Sequence, residues 1–184
     1  MTTCEFDSGQ SHLPLRDGEV GDAEEIEAVH WAALEAAYLG RIDGWPEVPR
    51  NIEARVNRWR TWLSASETDV IVGEVDGDIV GFCTFLPGPD PDLDPLTEGE
   101  IPTLYVHPDR WHQGYGRGLC REALRRARKR GFMSVVLWVV DANRRAQDFY
   151  LSFGFTLDGE TRLEAHSVEP VTASRYRISL GGAL

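Results

Sequence analysis

"VHPDRWHQGYGRGLCREAL", residues 106–124, sets Gly114, Gly116 and Gly118 at alternate positions between an extended run and an arginine-rich amphipathic segment. A helix start carries amide hydrogens without partners and roughly half a positive elementary charge. Glycines there let a bulky anion reach the main chain, so the stretch reads as a cradle for phosphate or pyrophosphate, or, on the local pattern alone, as a flexible turn. Two familiar phosphate loops fail on spacing. A P-loop requires Gly-Lys-Ser/Thr, where Arg117 and Gly118 stand here; a dinucleotide fold sets GxGxxG against its strand, whereas seven residues separate Val106 from Gly114.

On either side, the chain alternates helical and extended signals. "LPLR" (13–16) can start a sheet, Asp22 and Glu25 have capping-box spacing for a helix toward Leu39, and Gly40 fits its stop. Ile52, Val56, Trp59 and Leu63 fall on one helical face, which predicts a second helix over 49–63. "VIVGEV" and "DIVGFCTF" flank Asp76-Gly77, a hairpin signal. "LPGPDPDLDPLTEG" (86–99) predicts a long exposed loop, and "EIPTLYV" (100–106) a strand with an irregularity at Pro102, which has no amide hydrogen. Arg117 to Arg130 reads as a helix burying Leu119, Ala123, Leu124 and Ala127 and stopped by Gly131; "SVVLWVV" (134–140) reads as a central strand, giving a parallel crossover unit. "NRRAQDFYLSFGF" (143–155) predicts a short helix capped by Asn143, burying Ala146, Phe149 and Phe153, and "TRLEAHSV" with "ASRYRISL" a closing hairpin.

The length of 184 residues suits one domain over 1–184, with about 1–12 as a flexible tail. Its 42% apolar and 27% charged residues exclude a disordered chain. No apolar run reaches membrane-spanning length and no basic-then-apolar leader opens the chain, so a cytoplasmic protein without membrane partners is expected. Cys4, Cys83 and Cys120 are three, widely spaced and read as free thiols; His107, His112 and His166 lack ligand spacing, so no metal is assigned. A net charge of −11 argues against a nucleic-acid partner, and "RRARKR" (125–130) reads as the solvated face of a helix.

"EIPTLYVHPDRWHQGYGRGLCREAL" followed by "VLWVVDANRRAQDFYLSFGF" resembles the two signature segments of the GCN5-related N-acetyltransferases, the GNAT family. The first segment there is a strand, a turn carrying Arg/Gln-x-x-Gly-x-Gly/Ala, and a helix; the second is a strand, an asparagine, and a helix with Tyr ahead of Gly-Phe. The resemblance covers 100–155 and implies an α/β (α+β) fold, with a mixed, strongly bent sheet flanked by helices and a splayed parallel strand pair holding the cofactor. It implies acetyl-CoA as cofactor, its pyrophosphate on the amides of His112, Gln113, Gly114, Tyr115, Gly116 and Arg117, and its pantetheine arm along Leu104, Tyr105 and Val106 with a contact from Asn143. A main-chain amide near Val106 is placed to stabilise an oxyanion. Aligned from "YVHP", Gly114 and Gly116 fill the two small positions and Trp111 stands where the family has Arg or Gln, so Trp111 is expected to pack beside the cofactor or under the helix.

The resemblance also assigns Glu100 as general base, directly or through water, and Tyr150 as general acid, because an alkylammonium must lose a proton and a departing thiolate gains one. Against these roles stand a solvated carboxylate for Glu100 and a plain core aromatic for Tyr150. Arg117 is placed for a phosphate contact, whereas Arg144 and Arg145 read as a solvated face. Trp31, Glu35, Tyr38 and Trp45 lie where the family shapes its acceptor pocket. Asp90, Asp92 and Asp94 form either an acidic entrance or a soluble loop. The implied activity is direct acetyl transfer to a primary amine, on a small molecule or peptide, in a ternary complex; a non-catalytic acyl-CoA-binding or sensing module is the alternative, and a homodimer is left open.

Overall fold

The computed structural model describes residues 14–42, 51–164 and 170–181. Seven strands form one mixed sheet in the order β1-β2-β3-β4-β5-β7-β6, comprising β1 (Leu15–Asp17), β2 (Asp69–Val75), β3 (Asp78–Pro87), β4 (Glu98–Val106), β5 (Ser134–Val140), β6 (Thr156–Glu164) and β7 (Val171–Ser179). Neighbours are antiparallel except β4 and β5, which run parallel. The helices are α1 (Ala23–Tyr38), α2 (Ile52–Ser64), α3 (Tyr115–Lys129) and α4 (Arg144–Leu151). Alternation along β2 divides the core: Val70 and Val72 pack with Ile26, Val56 and Trp59 of α1 and α2, while Ile71 packs with Leu119, Cys120 and Ala123 of α3.

The β2–β3 hairpin turns on Asp76 and Gly77 with φ of 56° and 93°, the left-handed pair its tight turn requires. The capping box lies one turn earlier than the sequence suggested. Glu19 and Asp22 exchange the reciprocal bonds at a short 3-10 turn, and Glu25 instead accepts the Ile79 amide at 3.2 Å, tying α1 to β3. The aspartate-proline loop is shorter and less exposed than expected. Leu86 and Pro87 pair with Glu100 and Gly99, which continues the ladder, and Leu93 is buried. Asp90 and Asp92 are held by Arg175 of β7 at 3.2 and 2.5 Å, so these aspartates are neither an open entrance nor free solvating groups. Asp94 stays local, accepting from Leu96 and Thr97.

α3 buries Cys120 with Leu119, Ala123 and Ala127, leaving Leu124 half-buried. In α4 the buried residues are Gln147 and Tyr150, while Ala146, Phe149 and Phe153 are only partly covered. Ala146 and Phe149 pack on the core and also line an open cavity. The arginines of 125–130 are not simply solvated: Arg126 pairs with Asp17, Arg130 with Asp69 at 2.9 Å, and Arg128 donates to the Leu180 carbonyl. The expected tail, Cys4, Trp45 and His166 lie outside the described residues.

Candidate active site

The parallel pair that seats the site is short. β4 and β5 are in register only at Glu98–Ser134, Gly99–Val135 and Glu100–Val136, after which the strands part. Pro102 sits where the β3–β4 register also shifts, between the Leu86–Glu100 and Thr84–Thr103 pairs, so a residue that cannot donate marks the bulge and the opening. Beyond it, the His107 amide donates to Val80 on β3 at 2.8 Å. Antiparallel residues alternate in which neighbour they bond, so the amides of Leu104 and Val106 point away from β3, into the gap beside β5. The Val106 carbonyl on that edge already accepts the Trp111 indole at 2.7 Å. Trp111 therefore packs against the core beneath the turn, and the Arg145 guanidinium stacks on its ring at 3.3 Å. The Arg145 contact was not legible in a residue read as surface.

Below the gap, His112 (φ 62°) and Gly114 (φ 85°) are both left-handed, at either side of Gln113, in a tight turn that leads into α3. Only Gly114 is a glycine for conformational reasons, as the left-handed N-cap of α3. The first helical bond runs from Gly118 to Gly114, and no side chain caps the end, which leaves the amides of Tyr115, Gly116 and Arg117 without helical acceptors. At Gly116 a Cβ would stand 3.5 Å from Phe149, narrowing the cavity without a clash. Gly118, outside the cavity, faces nothing within 4 Å and needs no bareness.

This cavity, about 760 Å³, runs from Leu104, Tyr105 and Val106 past Trp111 to the turn 112–117, and α4 forms its other wall. Arg117 lines it while bonding Ser152 at 3.1 Å and stacking on Phe153. Gln113 donates to the Asp109 carbonyl at 3.1 Å, so its side chain braces the turn. Arg144, bonded to Gln147, is not in the lining. Asn143 caps α4 by accepting the Ala146 amide at 3.1 Å, and its side chain is near enough to the Tyr38 phenol to lower its proton affinity against the larger effect of burial.

A second cavity of about 310 Å³ lies across the splay and shares Leu104, Tyr105, Asn143, Ala146 and Tyr150 with the first. Glu100 lines it, 4% exposed, its Oε2 buried without a hydrogen-bond partner. Burial, helped by the Asp90 charge and opposed by Arg162, pushes its carboxyl up to about 7. Glu100 is thus no solvated loop end. Tyr150 is buried edge-on to Phe149 and Phe155 at 5.1 and 5.6 Å, and burial drives its phenol well above the usual tyrosine range.

Of the first-helix candidates, Tyr38 reaches this second cavity; Trp31 and Glu35 do not line it. His30, Trp59, Trp62 and Trp138 do, and sequence reasoning missed them as site residues. For Trp59 and Trp62 the signal was the aromatic spacing of α2, which core packing explained as well; His30 on α1 and Trp138 on β5 gave none. His30 is set by a buried cluster. Arg55 donates to its Nδ1 at 3.2 Å and to Glu27 at 2.5 Å, and the Trp59 indole reaches Glu27 at 3.1 Å. An arginine only donates, so toward Arg55 Nδ1 can act only as an acceptor, while the Glu27 carboxylate lies 3.7 Å from the same nitrogen. Burial, with the Arg55 charge, lowers the His30 pKa and keeps the ring neutral.

The loop-and-strand geometry agrees with independent comparisons. A 32% identical N-acetyltransferase of undefined role from Methanocaldococcus jannaschii matches over 107 residues, 53% of this chain and 46% of its own length. Mycothiol acetyltransferase of Thermomonospora curvata is 36% identical over 150 residues, 78% of this chain and 48% of that protein. The chain therefore spans about half the length of these two relatives. The PaiA N-acetyltransferase of Thermoplasma acidophilum, solved in complex with coenzyme A, shares the fold with a TM-score of 0.66 at 17% identity, covering 89% of this chain and 98% of that one. The sequence profile of the acetyltransferase (GNAT) family matches residues 27–155, which span both signature segments, the splayed strands and the whole 112–117 turn. By that match, which takes in well over half of its length, the chain belongs to the acetyltransferase (GNAT) family.

Proposed function

We propose that the protein transfers an acetyl group from acetyl-CoA to a primary amine by direct attack within a ternary complex. The observation that carries the reading is that two cavities of unlike character meet at the β4–β5 splay, with the unpartnered Glu100 carboxyl lining one of them and Tyr150 lining both. The larger suits coenzyme A. Its strand edge offers the Leu104 and Val106 amides, and its far end offers uncapped helix amides to a diphosphate. When bound, the cofactor supplies an activated acetyl thioester.

Each remaining role belongs to a residue of the chain. Glu100, with a pKa near 7, accepts the proton that an alkylammonium must lose, directly or through a water. Tyr150 keeps its phenol proton at neutral pH and, lining the larger cavity, hands it to the departing sulfur in this reading. The Val106 amide is aimed at the gap where negative charge develops. Burial pushes the Cys120 thiol up to about 12 and that of Cys83 well up too, so neither supplies a thiolate nucleophile, which favours direct attack.

The reading is tested by free-thiol release from acetyl-CoA across a panel of amines, beside Tyr150→Phe and Glu100→Gln. Thiol release that depends on an amine, with kcat lowered tenfold or more in each variant, is the expected outcome. Coenzyme binding without release under any amine would leave a non-catalytic acyl-CoA module in its place.

A further inference from the structure

We infer that the acceptor is a small primary amine that also carries a carboxylate, and that Arg58 on α2 binds that carboxylate at the mouth of the second cavity. The inference rests on the acetyltransferase reading and narrows it. Among the described residues two guanidinia line this cavity, Arg58 and Arg162. Arg162 is committed: it pairs with Glu164 at 2.6 Å and lies over the Trp138 ring at 4.3 Å. Arg58 is exposed and forms no hydrogen bond or ion pair with any described residue. It stands one helical turn after Arg55, close enough to His30 that its charge weighs against a proton there.

The cavity thus presents opposite needs at two places. Glu100 holds an unpartnered, buried carboxyl oxygen on β4, which calls for a cationic or proton-bearing nitrogen. Arg58 holds an unpaired guanidinium on α2, which calls for an anion with two acceptor oxygens. Between them stand neutral His30, Tyr105 at 4.5 Å from its ring, and the Trp59 and Trp62 indoles, while Glu164, which also lines the cavity, is paired with Arg162. A volume of about 310 Å³ suits a molecule of amino-acid size. A polyamine would bring a second cation toward Arg58 and be repelled. In a chain of net charge −11, an anionic acceptor has little to attract it except a local guanidinium of this kind.

The test compares thiol release with L-tryptophan, L-phenylalanine and 4-aminobutyrate, each beside its amide, and with spermidine, for the wild type and Arg58→Gln. Taking each acid-to-amide ratio in the variant relative to the wild type cancels intrinsic amine reactivity. At least one acid is expected to exceed its amide tenfold in kcat/KM, Arg58→Gln to erase that preference mainly through KM, and Arg58→Lys to restore part of it. Because Arg58 is exposed, circular dichroism should show these variants folded. Amides or spermidine used as well as the acids, or acid-to-amide ratios that Arg58→Gln moves by less than twofold, would overturn the inference while leaving amine acetylation standing. Coenzyme A binding with thiol release under none of these amines would overturn both.

Discussion

Glu100 is a carboxyl whose second oxygen is buried without a hydrogen-bond partner, and that placement fixes two pH dependences of opposite meaning. As a base it works only when deprotonated, so kcat/KM should rise through about pH 7 and level off, and Glu100→Gln should flatten that limb. For stability the sign reverses. The folded state binds this proton more tightly than the unfolded chain, whose carboxyl titrates near 4.5, so the stability is present below about 4.5 and lost as pH rises to about 7. The loss is on the order of 3 kcal/mol, and thermal melts of Glu100→Gln should exceed wild type at pH 8 and converge with it near pH 4. Tyr150→Phe deletes only the hydroxyl of a residue that lines both cavities and leaves the ring packed on Phe149 and Phe155. It should lower kcat tenfold or more with little change in melting temperature. Equal losses of activity and stability would mark Tyr150 as a packing residue only.

The start of α3 joins two requirements in adjacent turns. Gly114 must be left-handed for the helix to begin there, while Gly116 must be small for the cavity to stay open. Gly114→Ala forces a Cβ into a left-handed residue at a cost of about 1–2 kcal/mol and misaims the amides, so melting temperature and coenzyme affinity should fall together. Gly116→Val has no clash of its own Cβ to relieve, since Phe149 is 3.5 Å away, but its methyls enter the cavity. Calorimetry should show coenzyme affinity lowered tenfold or more in a protein whose melt shifts little. α4 depends on Asn143 in the same local way, and Asn143→Ala should cost about 1 kcal/mol through the lost cap.

Across the whole molecule, Arg175 connects elements that sequence keeps far apart. Only 3% exposed, it joins β7 to the 88–97 loop through Asp90 and Asp92 and to β6 through Asp158 at 2.8 Å, while Asp90 also accepts the Trp138 indole at 3.1 Å. Those aspartates hold the loop near Glu100, whose proton affinity Asp90 raises. Removing the buried guanidinium leaves the largely covered Asp90 and Asp158 uncompensated, typically at about 3–5 kcal/mol. Arg175→Met should therefore lower the melting temperature by roughly 6–20 °C for a chain of this size. Limited proteolysis should then cut first within 88–97, and a loop no more sensitive than in the wild type would show that the clamp is dispensable.

What the sequence alone determined lies in short-range chemistry. The Asp76-Gly77 hairpin, the Asn143 cap, the Gly114 helix start and the bulge at Pro102 each follow from a residue's own backbone limits or its nearest neighbours, and together with the two signature segments they were enough to give the family. The mixed seven-stranded sheet with helices on its faces follows from that pattern. Other features came only from the tertiary structure, because they depend on partners distant in the chain. Glu100 loses its solvent to β3, β5 and the folded-back loop; Asp90 and Asp92 meet an arginine more than eighty residues on; Trp59, Trp62 and His30 face a cavity that exists only once α1 and α2 lie across the splayed strands. An aspartate-rich loop reads as solvated until a buried guanidinium is set against it, and an aromatic stripe reads as core until one side of it is left open. Burial and pairing are properties of the assembled layers, and no spacing within a single segment encodes them.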